Sequence, residues 1–140
     1  MSFIATATGR EVPLILLVDD HPDTCQMYAE FLGIGFHVVT AANGEQALEV
    51  VQAQMPDLLI TDLSLPGIDG FELITQVRQI PALRDIPIIC LSGHGGDAFE
   101  ARAKAAGSDR VLSKPCMPDK LAEVAAEVLQ VAAAKRRGNS

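Results

Sequence analysis

The chain has 140 residues, 49% hydrophobic and 21% charged, enough for one compact domain with its own core and far from the polar, highly charged signature of disorder. Its formal net charge of −7 argues against a broad attraction to nucleic-acid phosphates or to anionic membrane. Three cysteines, Cys25, Cys90 and Cys116, without Cys-x-x-Cys spacing, suggest neither a disulfide framework nor a zinc site and fit a reducing cytoplasm.

Residues 1–12 read as a flexible leader without the basic and long apolar stretches of a secretory signal. After them, short apolar runs bounded by breakers alternate with longer segments of helical period. The strand candidates cover 14–18, 37–40, 58–61, 87–91 and 110–112. Four of these five are mostly aliphatic, as expected where helices cover both faces of a parallel sheet. Pro22 suits the first turn of a helix, and Asn43-Gly44 reads as a turn. In the segment that follows, Ala47, Leu48, Val51 and Met55 share one helical face, as do Leu73, Ile74 and Val77 in the next.

Pro118 opens the last helix, where Leu121, Val124, Ala125, Val128 and Leu129 form an apolar stripe while Asp119, Lys120, Glu123 and Glu127 face the other way. A domain over 13–134 is expected, followed by a basic, flexible tail at 135–140 whose Lys135, Arg136 and Arg137 suit the negative end of a helix dipole. No segment approaches the roughly 18 apolar residues of a membrane span. Five βα units of this length predict a three-layer α/β sandwich, a (βα)5 doubly wound parallel sheet with right-handed crossovers. Among the doubly wound options, the flavodoxin-like strand order 2-1-3-4-5 is expected.

In such a sheet the ligand site lies outside the carboxyl ends of the strands. Strand one ends in Asp19-Asp20, strand three in Asp62, strand four in Ser92 and strand five in Ser113-Lys114-Pro115. Three carboxylates, a hydroxyl and an ammonium should therefore converge at one edge. Clustered carboxylates repel one another unless a cation sits among them, and an all-oxygen acidic site suits a hard ion such as Mg²⁺. That set could serve phosphoryl transfer, with Asp62 central enough to be the nucleophile.

The segments ILLVDD at 15–20, LLITDLSLPGIDGFEL at 58–73, IICLSG at 88–93 and LSKP at 112–115 together resemble the signature of response-regulator receiver domains of two-component signalling. The resemblance spans about residues 13–132, and four motifs in order are far more specific than any one of them. It implies that Asp62 is the phosphoacceptor and that Asp19 and Asp20 form the acidic pair, with Asp20 the more direct Mg²⁺ ligand. It further implies a backbone carbonyl ligand from Ser64, a switch hydroxyl at Ser92, and Lys114 paired with phosphoryl oxygens beside a cis peptide to Pro115. Pro66, Gly67, Asp69 and Gly70 match the loop after the acceptor strand and serve as a turn.

Receivers commonly carry Tyr or Phe three positions before the lysine, where this chain has Val111. Any phosphorylation signal is therefore expected to run through Gly93, His94, Gly95 and Gly96 and the helix after them. Cys116 replaces an aromatic residue and is expected to pack as a small buried hydrophobe. His94 occupies a position where receivers tune the lifetime of the acyl phosphate.

The implied partners are a sensor histidine kinase or a histidine phosphotransfer protein, with no direct nucleic acid, no membrane insertion and a monomer at rest. The protein is expected to be cytoplasmic and to signal by reversible contact with a target, catalysing only its own phosphorylation and dephosphorylation. Two other readings remain. One is a degenerate receiver acting as a scaffold, kept open by Val111 although no acidic or basic site residue is lost. The other is a dehalogenase-superfamily phosphatase, disfavoured because the candidate nucleophile lies on strand three and Ser64 stands where a general acid is needed.

Overall fold

The computed structural model describes residues 6–93 and 96–138. Five strands, β1 (Leu14–Val18), β2 (His37–Ala41), β3 (Leu58–Asp62), β4 (Ile88–Ser92) and β5 (Arg110–Ser113), alternate with α1 (Pro22–Leu32), α2 (Gly44–Gln54), α3 (Gly70–Arg78), α4 (Asp97–Ala106) and α5 (Pro118–Gly138). All strand pairs are parallel, in the order β2-β1-β3-β4-β5. The predicted α/β class and strand order are those observed.

Alternate side chains of each central strand enter opposite cores, as the period of two requires. Leu16, Val18, Leu59, Ile88 and Cys90 pack with Ala47, Val51, Leu73, Ile74, Val77 and Ala103 of α2, α3 and α4. Ile15, Leu17, Leu58, Ile60, Ile89 and Leu91 pack on the other face with Tyr28, Leu32, Leu121, Val124, Ala125, Val128 and Leu129 of α1 and α5. β1, β3 and β4 are buried along their whole length, which is why they read as unbroken aliphatic runs. Edge strand β2 is half-exposed and carries His37 and Thr40 outward. Val111 lies beside Cys90 in the sheet register and packs against the α2–α4 core. Cys116 is buried in the other core, and its carbonyl accepts a hydrogen bond from Tyr28 Oη at 2.7 Å.

Two expectations need correction. Asn43-Gly44 is a helix start: Asn43 Oδ1 accepts from Gln46 N at 2.8 Å and Gly44 is the first residue of α2. An N-cap and a turn draw on the same short polar side chain, so local sequence does not separate them. The last helix continues through Lys135, Arg136 and Arg137 to Gly138. The alanine run at 132–134 has high helix propensity and the three cations suit the carboxyl end of the dipole. Two side chains of the described part of the leader, Thr8 and Arg10, meet the end of α2 and the start of β3. Thr8 Oγ1 donates to Asp57 Oδ1 at 2.7 Å, and Arg10 Nη1 donates to the Met55 carbonyl at 2.8 Å and pairs with Asp57 Oδ2 at 3.2 Å.

The candidate phosphoacceptor site

β1, β3, β4 and β5 carry their last residues to one edge of the sheet. Main-chain hydrogen bonds hold those ends together: Asp19 N to the Ala41 carbonyl (3.1 Å), Leu63 N to that of Leu91 (3.1 Å) and Lys114 N to that of Ser92 (2.8 Å). Gly70, at the start of α3, closes back on this edge through a 3.0 Å bond from its N–H to the Leu63 carbonyl. Asp69 caps α3 by accepting from Glu72 N at 2.9 Å. The peptide between Lys114 and Pro115 is cis.

Asp19 (2% exposed) and Asp62 (3% exposed) are buried carboxylates. Lys114 Nζ reaches both, at 2.6 Å from Asp62 Oδ1 and 3.6 Å from Asp19 Oδ2. Burial pushes the Asp62 carboxyl up to about 7, with Asp19 adding to the rise and Lys114 opposing it. Burial also works to lower the Lys114 ammonium, but its hydrogen bond to Asp62 and the charges of Asp62 and Asp19 outweigh this and leave it raised.

His21 was not singled out from sequence, yet it belongs to the site. Its backbone N–H donates to Asp19 Oδ1 at 2.9 Å, and its Nδ1 lies 3.2 Å from Asp20 Oδ1 and 3.4 Å from Asp19 Oδ1. Its place directly after the acidic pair, at the mouth end of the first strand, is the signal that could have found it. Asp19, Asp20, His21 and Asp62 each bring one ligand atom to within 4.8 Å of the others. Asp19 Oδ2, Asp20 Oδ1 and Asp62 Oδ1 are shielded from solvent, and the only groups that meet them among the described residues are the Lys114 ammonium at Asp62 and Asp19 and the His21 ring at Asp20. Buried carboxylate oxygens left in that state are costly unless a cation meets them. One ammonium shared between Asp19 and Asp62 leaves room for a second, hard cation. The donor set fits Mg²⁺, which favours a few carboxylates and keeps several waters.

Ser92 is 5% exposed at the end of β4, and Ser64 is exposed two residues beyond Asp62. With Asp20, Asp69, Phe71 and Arg102 they line an open cleft of about 510 Å³ beside the carboxylates. A larger cleft, of about 780 Å³, lies at the opposite edge of the sheet among residues such as Asp57, Arg78, Pro87 and Asp109. It holds none of the predicted site residues, so chemistry rather than volume identifies the site. The glycine loop expected to carry the signal is described only at Gly93 and Gly96; His94 and Gly95 lie outside the described residues. Among the described residues no helix is long and apolar enough to cross a membrane.

A five-stranded doubly wound sheet with an aspartate, an acidic pair, a hydroxyl and a lysine at one carboxyl edge defines a domain built to hold a phosphoryl group on a carboxylate. Residues 15–126 match the family model of the response regulator receiver domain, and the chain belongs to that family. It is 40% identical to the transcriptional activator protein ExaE of Pseudomonas putida over 119 residues, 82% of this chain and 54% of ExaE. It thus spans about half the length of ExaE and of the response regulator Rre1 of Synechocystis, and 13% of the sensor histidine kinase RcsC of Salmonella typhi. A putative response regulator from Chloroflexus aurantiacus superposes with a TM-score of 0.80 at 36% identity, covering 84% of this chain and 98% of that one. The chemotaxis response regulator CheY4 of Vibrio cholerae does so with 0.79 at 30% identity, covering 84% and 98%. The protein is a receiver domain of the two-component type, and receiver domains partner with histidine kinases.

Proposed function

We propose that Asp62 is the phosphoacceptor of this receiver. A carboxylate oxygen of Asp62 attacks the phosphorus of a phosphohistidine on a sensor kinase or phosphotransfer protein. The new P–O bond forms as the P–N bond breaks, and the imidazole leaves with a proton. Mg²⁺, held by Asp19, Asp20, Asp62 and the Ser64 backbone carbonyl, would neutralise charge on the phosphoryl oxygens. Asp62 must be ionised to attack, and Lys114 supplies the countercharge that favours that form near neutral pH. After transfer, Lys114 and the Ser92 hydroxyl would hold the phosphoryl oxygens. The protein would then act as a cytoplasmic switch of protein contacts whose only catalysis is its own phosphorylation and dephosphorylation.

The observation that carries this reading is the meeting of Asp62, Asp19 and Lys114, from three separate strand ends, within 3.6 Å of the lysine ammonium. Intact-mass analysis after treatment with acetyl phosphate and Mg²⁺ tests it. One added phosphate is expected on the wild type, and none on Asp62→Asn or with a chelator present. An unmodified wild type that also fails to bind beryllofluoride would favour a phosphorylation-independent scaffold.

A further inference from the structure

The cleft beside the acceptor, lined by its neighbours Leu63 and Ser64, is short of positive charge. Its charged lining residues are Asp20, Asp69 and Arg102, while Lys114 faces Asp62 and Asp19 from the strand end rather than from the cleft wall. A phosphodonor must bring an anionic phosphoryl group past two carboxylates, and Arg102 is the only cation among the described residues that line the way in.

Arg102 is also held in place. Its guanidinium carbon sits 3.9 Å from the centroid of the Phe71 ring. Phe71 is itself buried, 7% exposed, at the start of α3 beside the acceptor loop, and its ring lies 6.2 Å from that of Phe99, tilted by 33°. Stacking an arginine on an aromatic face restrains it while leaving its in-plane N–H donors directed outward. Among the described residues no carboxylate pairs with Arg102, so those donors are not consumed by an ion pair within the fold.

From the charge pattern of this cleft and the stacked guanidinium we infer that Arg102 is a phosphodonor-binding residue that selects for dianionic small-molecule donors. The inference rests on the phosphoacceptor reading of Asp62 and adds a determinant of which donor is used. With an acyl phosphate, an Asp62 oxygen forms the new P–O bond, the P–O bond to the acyl group breaks, and the carboxylate leaves with the electron pair. Arg102 takes no part in bond making. It raises the occupancy of the cleft by an incoming dianion, and the effect is weaker for phosphoramidate, whose ammonio group leaves it one fewer net negative charge near neutral pH.

Initial phosphorylation rates of the full chain with Mg²⁺, followed by intact mass against donor concentration, test this with acetyl phosphate and phosphoramidate in parallel. Arg102→Ala is expected to lower the rate constant for acetyl phosphate at low concentration about three- to tenfold through the half-saturating concentration, with a smaller change for phosphoramidate. Arg102→Lys should recover most of the loss, Arg102→Glu should deepen it, and added salt should shrink the difference between wild type and Arg102→Ala. Thermal melts show that each variant is folded. A folded Arg102→Ala whose acetyl phosphate to phosphoramidate ratio equals that of the wild type overturns the inference while leaving Asp62 as acceptor. A wild type that takes a phosphoryl group from neither donor overturns the acceptor reading and this inference with it.

Discussion

Lys114 Nζ lies 2.6 Å from Asp62 Oδ1, an ion pair made between the end of β3 and the residue after β5. Burial at this edge raises the Asp62 carboxyl, and the lysine limits the rise so that the group titrates near neutral pH. The same balance links phosphoryl acceptance to stability.

Because the folded-state carboxyl is raised to about 7, above its ordinary value near 4, the unfolded chain gives up this proton first as pH climbs. The contribution of the protonated group to stability is complete below the ordinary carboxylate range and is lost as pH rises through about 7. Asp62→Asn should therefore be more stable than the wild type by about 2 kcal/mol at pH 8 without divalent cation, the gap closing below about pH 4. Urea melts at the two pH values check this, and a gap independent of pH would count against burial as the cause.

Mg²⁺ should relieve the same repulsion. At ten times its dissociation constant it should stabilise the wild type by about 1.4 kcal/mol, read as a rise in melting temperature. Asp20→Asn should lose most of that rise, since it removes charge from the shielded oxygen at Asp20 Oδ1. Equal shifts in the two proteins would move the cation elsewhere.

Gly70 packs against the acceptor's own backbone. A Cβ there would stand 2.3 Å from the Asp62 carbonyl oxygen and 2.7 Å from Leu63 Cα, atoms that cannot swing aside as a side-chain tip can. Gly70→Ala should cost about 2 kcal/mol or more and slow phosphorylation by acetyl phosphate, because the loop that presents Asp62 must shift. Full stability with an unchanged rate would show that the loop yields freely.

Arg78 secures the opposite edge of the sheet, far from the chemistry. It donates to the carbonyls of Gly107, Arg84 and Ile86 and pairs with Asp109, whose carboxylate accepts from Ile88 N at 2.8 Å. Arg78→Ala should cost about 2–3 kcal/mol by leaving several carbonyls short of partners, while the phosphorylation rate of the folded protein stays near that of the wild type. A large loss of rate with stability intact would refute the separation of the two edges.

Much of this molecule was legible in local pattern. The unbroken aliphatic runs of β1, β3 and β4 announce strands covered on both faces, and the apolar stripe from Leu121 to Leu129 announces a helix laid on one of them. Asp19, Asp20, Asp62, Ser92 and Lys114 were found because strand ends can be read from sequence and the ligand edge of a parallel sheet follows from its topology. Periodicity fails where one residue type serves two local structures, as at Asn43, and where a helix continues without apolar anchors, as at Lys135 to Arg137.

The sequence by itself therefore determined the doubly wound α/β class and the residue types that gather at one edge, since these follow from short-range periods and from the handedness of βα crossovers, while the order 2-1-3-4-5 was one choice among the doubly wound options that the fold then showed. Only the tertiary structure decided which of those groups touch and how strongly they titrate. Lys114 shared between Asp62 and Asp19, His21 against the acidic pair and Arg102 stacked on Phe71 are contacts between separate elements or across a tight turn. Ion pairing, desolvation and ring stacking vary over a few ångströms, a scale set by packing and invisible to spacing along the chain.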